Sequence, residues 1–521
     1  MTTRLTYLGH AGFCLETPEV VVVMDPWLSS HGAFDAAWFQ FPRNHHLAPV
    51  VREKLSDPSK ARFIYVSHEH NDHFDPAFLR SLPNSEITYV IPHFQRDALR
   101  SIIAGFQPKA MITCAHNQSV PIPGGYVKLF LDDSGLNRDS GILLKIGDHC
   151  LLNLNDCKLY EQLPAIVREN GPISVFTCQF SGATWHPTCY NYTPEEYERI
   201  SEQKAMSKFE MIARAIESAG ADVYLPSAGP ACFLDPALMH LNFERVNIFP
   251  RASKFLNFLD TRLSNSRTKH LDIAPGDVLE VPSNQLIASG AERVDDHTLR
   301  DYLDSYAGEY RGFFEDLYGD PSQKDLDSLF DRLRVEIDRK LSHFTLHHRV
   351  RVPLYFGLTD APATMLRIDF LNKTTQIVGQ MADSDFYSIS APSWQVARIL
   401  DGEITWEEFA LTFRMRLNRR PDVYQTLIQG FLLMEPEDMN WFCAQLLEIE
   451  DRQKRVIVEA GGIRYSIDRF CPHQGADLSQ GWLNEGNLWT CPRHRWQFSL
   501  DHGGRCLTSD AGIHAVCLEN D

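Results

Sequence analysis

The sequence predicts an α+β protein of several domains: a sheet-based N-terminal domain, an α+β accessory layer and a small C-terminal β domain held by a metal. Three observations predict this class. Short β-rich runs over roughly the first 235 residues end in polar, metal-capable side chains. Helical patterns over about 290–345 are followed by strands and then helices up to about residue 435. The chain beyond residue 440 is rich in Gly, Trp and Cys. At 521 residues the chain is long enough for about two to four domains.

The composition excludes several classes of function. The formal net charge is −18, whereas proteins that bind nucleic acid or anionic membranes need a basic surface. The sequence has no apolar run of transmembrane length, and its N-terminus lacks the apolar core of a signal peptide. Twelve cysteines, scattered outside one motif, fit a reducing compartment. We therefore expect a cytoplasmic protein without nucleic-acid or membrane partners and without a disulfide framework.

Residues 1–290 are predicted to form the first domain. Its strands are expected to present polar side chains at their ends, in the runs LTYLGH, VVVVMDP, RFIYVSH, KLFLDD and CLLNLND. A long helix is predicted to begin at Pro194, because Thr193 is a favourable N-cap and Glu196 completes a capping box. Gly220 is expected to end this helix.

The remaining residues are predicted to form three further regions. Acidic amphipathic patterns predict a helical extension over 291–345, and strands followed by helices predict an α+β accessory layer over 346–439. Within that layer the alternating stretch LHHRVRVPLYF predicts a strand. Residues 440–521 have few helix signals and are predicted to form the small β domain.

Two Cys-and-His pairs distinguish the C-terminal region. Cys471-Pro-His473 is followed by Cys491-Pro-Arg-His494, which supplies two thiolates and two imidazoles from two loops. This set, with the flanking PHQGADL and WQF, resembles a Rieske domain, in which the two cysteines hold one iron of a [2Fe–2S] cluster and the two histidines hold the other. A structural Cys2His2 zinc site is the alternative that the same ligand types allow.

The Rieske resemblance also implies a subclass. Respiratory Rieske proteins join their two cluster loops by a disulfide, and the corresponding positions here are Ala476 and Arg493. The resemblance therefore implies the low-potential type that passes electrons to a nearby catalytic metal.

A second cluster of metal-capable residues follows the run RFIYVS. His68, His70, Asp72 and His73 lie within six residues on a predicted strand-to-helix turn, an arrangement that can serve two metals a few ångströms apart. The segment, with TYLGHAGF and VVVVMDPW before it, resembles the metallo-β-lactamase fold. This resemblance implies that Asp156, in LLNLNDC, is a bridging carboxylate.

The N-terminal region departs from the hydrolases of that fold at two ligands. Where they have a third histidine this chain has Asp132 and Asp133, and the last histidine is missing from the segment LPSAGP. Carboxylates in place of imidazoles favour iron over zinc. We therefore expect nonhaem iron, as two ions, with Asp133 among the ligands; Asp132 or Asp133 capping a turn is the alternative.

Other histidines are weaker candidates. His10 either lines the same pocket or only bonds a strand end, and His186 either supplies a missing ligand or is structural. The group His343, His347 and His348 is not expected to bind a mononuclear iron, because its spacing does not fit and the segment is predicted as a strand.

The two centres together resemble the CMP-N-acetylneuraminic acid hydroxylase family. The likeness extends to NLNDC, SGAT, KFEMIARAIESAGADVYLPSAGPACF and RMRLNRRPDVYQTLIQGFLL, although the Rieske domain is last here and first in that family. The resemblance implies a monooxygenase that adds oxygen from O2 to a small, N-acyl or nucleotide-sugar-like substrate. It also implies a ferredoxin- or cytochrome-type electron donor with an NAD(P)H-dependent reductase.

Two other functions remain open from the sequence. One is a metal-dependent hydrolase with a redox-sensing Rieske domain, and the other is an electron-transfer protein whose lactamase-like domain is a scaffold. An acidic substrate would need arginines, which are either binding groups or solvated surface residues: Arg349, Arg351, Arg416, Arg419 and Arg420.

Overall fold

The valine run that ends at Met24 is apolar at every position because it is buried on both faces of a sheet. This sheet lies in the first of two units into which the chain divides, in a computed structural model that describes residues 3–96, 98–134, 137–319 and 325–518. The first unit comprises residues up to Asp133, Arg138–Ala183 and Glu198–Glu309. The second comprises Ser134, Asn137, Thr184–Tyr197 and the chain from Tyr310.

The strands of the first unit form two sheets. They are β1 (Arg4–Gly9), β2 (Gly12–Glu16), β3 (Val20–Met24), β4 (Ala61–Tyr65), β5 (Thr88–Pro92), β6 (Ala110–Cys114), β7 (Ser119–Ile122), β8 (Gly125–Ser134), β9 (Asn137–Ile146), β10 (His149–Asn155), β11 (Val175–Gln179), β12 (Val223–Ser227), β13 (Lys269–His270), β14 (Val278–Glu280) and β15 (Gln285–Ile287). One sheet has the order β15-β14-β1-β2-β3-β4-β5-β6 and the other β13-β12-β11-β10-β9-β8-β7. Strands β3 to β6 are parallel, as are β10 to β13, so their carboxyl ends share an edge.

Helices occur in both units. They are α1 (Ala48–Ser56), α2 (Pro76–Arg80), α3 (Ala98–Ala104), α4 (Leu163–Asn170), α5 (Pro194–Ala219), α6 (Ala252–Arg262), α7 (Leu299–Gly308), α8 (Arg311–Tyr318), α9 (Leu326–His343), α10 (Ser393–Leu400), α11 (Trp406–Leu411), α12 (Thr426–Leu433) and α13 (Met439–Asp451). Helix α5 begins as predicted, with the Thr193 hydroxyl accepting from the Glu196 amide and the Glu196 carboxylate accepting from the Thr193 amide.

The layers of the first unit follow from its cores. The inner faces of the two sheets pack on each other through residues such as Val22 and Leu144. Helices α1 to α3 cover the outer face of the first sheet, with Val51 packed near Val23. On the second sheet, Phe255 of α6 contacts Tyr224 of β12, with ring centroids 6.1 Å apart. The result is a helix–sheet–sheet–helix sandwich.

The second unit contains a mixed sheet and a small β region. The mixed sheet has the order β18-β17-β16-β19-β20. The strands of this unit are β16 (Leu354–Leu358), β17 (Ala361–Asp369), β18 (Thr374–Val378), β19 (Phe386–Ala391), β20 (Arg416–Arg420), β21 (Arg455–Ala460), β22 (Ile463–Asp468), β23 (Trp482–Asn484), β24 (Leu488–Thr490), β25 (Gln497–Ser499), β26 (Arg505–Cys506) and β27 (Val516–Leu518). The small region has two sheets, β21-β22-β27 and β23-β24-β25-β26.

The strand predicted from LHHRVRVPLYF is shorter than expected. His347–Arg349 forms a 3-10 turn, and β16 begins only at Leu354. Nδ1 of His347 lies 2.8 Å from the Phe370 carbonyl. This side-chain contact stabilises the turn at His347 instead of backbone pairing with a neighbouring strand. Pro353, which has no amide hydrogen, also limits pairing before Leu354.

No helix within the described residues is both long and apolar enough to cross a membrane.

Candidate metal centres

The N-terminal centre is built from the turns that follow strands of both sheets. His10 follows β1, Asp25 follows β3, residues 67–73 follow β4, and Asp156 follows β10. Three of these turns hold a residue other than glycine at positive φ: His10 at 50°, Asp25 at 40° and Asn155 at 39°. Such conformations cost free energy and are concentrated at functional sites, so these turns are held in place by their surroundings.

Gly9 shows how tightly the first turn is built. Its φ is 103°, and a Cβ at this position would lie 2.7 Å from Nδ2 of Asn44. Asn44 in turn donates to the carbonyls of Leu8 and Trp27, at 2.7 and 2.9 Å. The turn that carries His10 therefore requires glycine at position 9.

His73 lies at the centre of the side chains that this fold brings together. Its Nε2 is 3.8 Å from Oδ2 of Asp72 and 3.6 Å from Oδ1 of Asp156. His10 reaches the same Asp72 oxygen at 2.9 Å, and the His68 ring lies 4.3 Å from the His73 ring, centroid to centroid. These residues form two groups whose ligand atoms lie within 4.8 Å of one another: His10, Asp72 and His73, and His68, His73 and Asp156.

The donor atoms of the two groups fit a bound cation. Oδ1 of Asp72, Nε2 of His73 and Oδ1 of Asp156 are buried and have no hydrogen-bond partner among the described residues. Buried polar atoms are normally bonded, and three such atoms close together suit metal coordination. Carboxylate oxygens and imidazole nitrogens are ligands that iron and other divalent metals accept.

The electrostatics of the centre favour positive charge. Burial alone would lower the pKa of His73, but the Asp72 and Asp156 carboxylates outweigh it and raise that pKa to about 10. Burial opposes ionisation of Asp72, yet His73 and His10 hold its pKa below the usual range. By contrast, burial and the neighbouring His73 and His70 hold the pKa of His68 well below its usual value. The carboxylates that would retain a proton on His73 would equally attract a metal ion.

Asp25 orients the histidines and was not singled out from the sequence. Its Oδ2 lies 3.0 Å from Nδ1 of His73, and its Oδ1 accepts from the Ser67 amide at 2.8 Å. The Ser67 hydroxyl lies 2.9 Å from Nδ1 of His68. Both rings therefore direct Nε2 toward the centre, as partners of metal-binding histidines do. The only signal in the sequence was weak: Asp25 directly follows the strand formed by the valine run.

Asp139 is a second residue that the sequence analysis missed. It is buried on β9, with Oδ1 3.7 Å from Nε2 of His68, and burial raises its pKa to about 6. The charges that act on it include Asp156, His70 and Asp132. Only the pairing of β9 with β10 brings it here, which no local motif reveals.

The side chains of Asp132 and Asp133, which are neighbours on β8, lie on opposite faces of the strand. Asp133 is not in either group, and its Oδ2 accepts from the Gln95 amide at 2.8 Å. Asp132 is buried and is among the charges acting on Asp139. Adjacent strand residues point to opposite faces, so one of the two faces away from the centre. The bond to the Gln95 amide favours Asp133, the predicted ligand, as that residue.

The other predicted residues lie as follows. Nδ1 of His70 is 2.9 Å from Nε2 of His68, beside the first unit's cluster. His186 is in the second unit, where its Nε2 lies 3.0 Å from the Tyr192 hydroxyl. The segment LPSAGP has Ala228 at φ 50°, and the Ala228 amide donates to the His10 carbonyl at 2.9 Å.

The predicted arginines differ in surroundings. Arg349 pairs with Glu450 at 2.6 Å, and the buried Arg419 pairs with Asp422 at 2.6 Å. The remaining three are exposed: Arg351, Arg416 and Arg420.

The C-terminal centre brings the two Cys-and-His loops together. Cys471 and Cys491 are buried, and their thiols contact each other. The His473 and His494 rings are 4.6 Å apart and perpendicular within a few degrees, at 83°. Each loop closes on itself: the Cys471 amide donates to the Ala476 carbonyl at 2.9 Å, and the Cys491 amide to the Trp496 carbonyl at 2.8 Å.

The two thiols of this centre differ: burial and the neighbouring Cys491 hold the pKa of Cys471 well above its usual value, whereas Cys491 is in the environment of a cluster ligand. The His494 amide approaches the Cys491 sulfur at 3.5 Å. Burial opposes the thiolate, but the Cys471 thiol and the backbone amides of His494 and Arg493 lower the pKa of Cys491. Backbone amides aimed at sulfur stabilise its negative charge, which fits a metal-bound thiolate.

Comparison with known families agrees with both halves of this description. Residues 433–513 match the Rieske [2Fe-2S] domain, and residues 4–135 match the beta-lactamase superfamily domain. The chain joins a metallo-β-lactamase-like domain to a Rieske domain. This confirms the predicted fold class, and the Rieske domain supports the predicted [2Fe–2S] cluster.

Individual relatives cover the chain to different extents. A protein of Mycolicibacterium smegmatis described as a Rieske 2Fe-2S iron–sulfur protein is 28% identical over 534 residues, with 97% of this chain and 98% of the relative covered. Cytidine monophosphate-N-acetylneuraminic acid hydroxylase of Mus musculus is 24% identical over 242 residues, 43% of this chain and 39% of its own. The solved structure of CmlA, a diiron beta-hydroxylase from Streptomyces venezuelae, is 12% identical, with a TM-score of 0.35 and coverage of 55% of this chain and 54% of that one.

Proposed function

We propose that this protein is a nonhaem iron monooxygenase, which hydroxylates a small polar substrate with O2 and electrons relayed by its Rieske cluster. The observation that carries the proposal is the pairing, in one chain, of a one-electron carrier domain with a buried donor set of histidines and aspartates. Hydrolysis needs no electron carrier. This chain also has Asp132 and Asp133 where hydrolases of the fold have a histidine, and a carboxylate in that place favours iron over zinc.

In this proposal the N-terminal centre holds two irons. The residues that would hold them are the members of the two groups, His10, Asp72, His73, His68 and Asp156. His70 stands against His68 and completes the predicted ligand set. The carboxylate that replaces the missing histidine is then Asp132 rather than Asp133, since Asp133 bonds the Gln95 amide.

The C-terminal ligands are proposed as predicted. Cys471 and Cys491 hold one iron of the cluster, and His473 and His494 hold the other. All four positions of each cluster iron are then filled, so substrate and O2 have no place there. Reaction is therefore proposed for the N-terminal centre.

Bound iron would supply the activation of O2, and the cluster would supply electrons one at a time. The overall reaction balances as RH + O2 + two electrons + two protons giving ROH + H2O. The chain's own carboxylates would offset the charge of the metal ions. Burial of His68, Asp72 and His73 would keep bulk water away from the reacting atoms.

The substrate and the electron donor form the finer part of the proposal. The mouse relative is named for a nucleotide-sugar substrate, so an N-acyl or nucleotide-sugar-like compound is the first class to test. The exposed Arg351, Arg416 and Arg420 are available for an acidic group. The donor is proposed to be a ferredoxin or a cytochrome reduced by an NAD(P)H-dependent reductase.

The test uses purified full-length protein supplied with a ferredoxin-type donor, its reductase and 18O2. A product heavier by one oxygen atom, with that atom from O2, is expected, along with iron and acid-labile sulfide in the protein. A product whose oxygen comes from water, formed equally without air, would refute the proposal. Zinc at the N-terminal centre with ester or lactam cleavage in the absence of reductant would support the hydrolase alternative.

A further inference from the structure

Tyr424 lies outside the Rieske match yet contacts a proposed cluster ligand. Its hydroxyl is 3.4 Å from Nε2 of His473, and its ring is perpendicular to the His473 ring at 5.7 Å. On another side, Trp496 stacks on His473 with centroids 4.4 Å apart and an angle of 14°. Tyr424 and Trp496 also contact each other at 5.4 Å. Two aromatic side chains therefore fix the His473 imidazole, and one of them adds a polar contact.

The backbone of Tyr424 is held on both sides. Its amide donates to the Thr508 carbonyl at 2.8 Å, which ties it to the Rieske domain. The Tyr387 hydroxyl donates to the Val423 carbonyl and accepts from the Gln425 amide at 2.9 Å. The Tyr424 side chain is thus aimed at His473 by bonds to its own residue and to both neighbours, so its position does not depend on a flexible loop tip.

A network formed partly by residues 184–197 lies near Tyr424. Asp422 accepts from the Tyr192 hydroxyl at 2.9 Å and from Nε of Arg419 at 2.6 Å. The Arg419 guanidinium lies over the Tyr190 ring, 4.9 Å from its centre. Both Tyr190 and Arg419 are close enough to Tyr424 to act on its pKa. These residues therefore surround Tyr424 with aromatic and charged groups.

We propose that Tyr424 is a positioning residue for the cluster, which fixes the orientation of His473 and lowers the reduction potential of the cluster. The inference rests on the proposed ligand role of His473. Because Nε2 faces Tyr424, the other nitrogen is left for iron, and a neutral ring bound in this way carries its hydrogen on Nε2. That hydrogen is donated to the Tyr424 hydroxyl oxygen. Such a bond makes the imidazole a stronger electron donor and stabilises the oxidised cluster.

The test is Tyr424→Phe in the full-length protein loaded with its cluster. Removing the hydroxyl should raise the reduction potential, so that the ratio of reduced to oxidised cluster at a fixed solution potential rises about two- to tenfold, up to about 59 mV for one electron. The nitrogen hyperfine couplings of the reduced cluster should change with it. Tyr424→Leu, which also removes the ring, should shift the potential in the same direction.

The matched control is Tyr355→Phe, since Tyr355 is a buried tyrosine of the same unit whose hydroxyl bonds Asp383. This variant should keep the wild-type potential. A Tyr424→Phe protein with full cluster content and unchanged potential and couplings would overturn the inference. Absence of any cluster from wild-type protein would instead count against the proposed function, so the two failures are distinguishable.

Discussion

The two metal centres share imidazoles but differ in every other donor. The N-terminal centre adds carboxylates, and three of its buried donor atoms have no hydrogen-bond partner in the described chain. The C-terminal centre adds two thiols, which contact each other and receive backbone amides. Hard oxygen donors suit a metal with open positions, whereas thiolates suit an iron–sulfur cluster that is fully ligated. The difference predicts where small molecules react and where electrons are stored.

The largest expected effect comes from removing a thiol ligand of the C-terminal centre. Cys471→Ser should abolish the cluster, because serine cannot replace a buried thiolate ligand. The paramagnetic resonance signal of the reduced protein and its acid-labile sulfide should both disappear, while iron at the N-terminal centre remains. Cys517→Ser, at an exposed cysteine, is the control and should keep both. Stoichiometric zinc without sulfide in the wild-type protein would show that the C-terminal centre is a structural zinc site.

The next effect tests the carboxylate side. Asp156→Asn should weaken iron binding at the N-terminal centre by more than about 100-fold, beyond the range for residues that only support ligands. The cluster spectrum should be unchanged, and hydroxylated product should be lost. His348→Ala, at an exposed histidine outside both centres, should change neither metal. Full iron content in Asp156→Asn, measured after dialysis against a chelator, would remove Asp156 from the ligand set.

A smaller effect is expected from a residue that lies beside the ligands. Asp139 is 3.7 Å from Nε2 of His68, so Asp139→Asn should reduce iron affinity by about 10- to 100-fold and leave the fold intact. Titration of metal-free protein with ferrous iron measures this. Asp148→Asn removes an exposed carboxylate close in sequence and serves as the control. Equal affinity in the two variants would mean that Asp139 contributes only to packing.

The sequence predicted those parts of the two centres whose residues lie close together along the chain. His68 to His73 lie within six residues after one strand, and each Cys-and-His pair lies within four residues. Asp25 also follows a strand directly, but a lone aspartate carries little signal. Asp139 could not be found in this way, because only the pairing of β9 with β10 brings it to His68.

The structure differs from the sequence predictions at two other places, where the order of residue types does not determine the backbone geometry. Asp132 and Asp133 are adjacent, and which one faces the centre depends on the pleat of β8, which the sequence does not specify. The stretch LHHRVRVPLYF alternates as a strand would, but a side-chain bond to the Phe370 carbonyl holds its first residues in a turn. Contacts between residues distant in sequence decided both cases.

The sequence could not predict either that residues 184–197 belong to the second unit. They follow β11 and lead into α5, so their neighbours in sequence belong to the first unit. They pair instead with β20 of the second unit. The Leu417 amide donates to the Cys189 carbonyl at 2.8 Å, and Tyr190 forms a parallel β-bridge with Leu417.

The pairing of residues 184–197 with the second unit has a consequence for folding during synthesis. Residues 184–197 leave the ribosome more than two hundred residues before β20, the strand edge on which they pair. During synthesis, buried groups such as Cys189 and Tyr190 must wait without their partners until the rest of the second unit has emerged. Non-local pairing of this kind slows folding. A shortened chain that stops after the lactamase-like region would leave Cys189 and Tyr190 without the strand edge on which they pair.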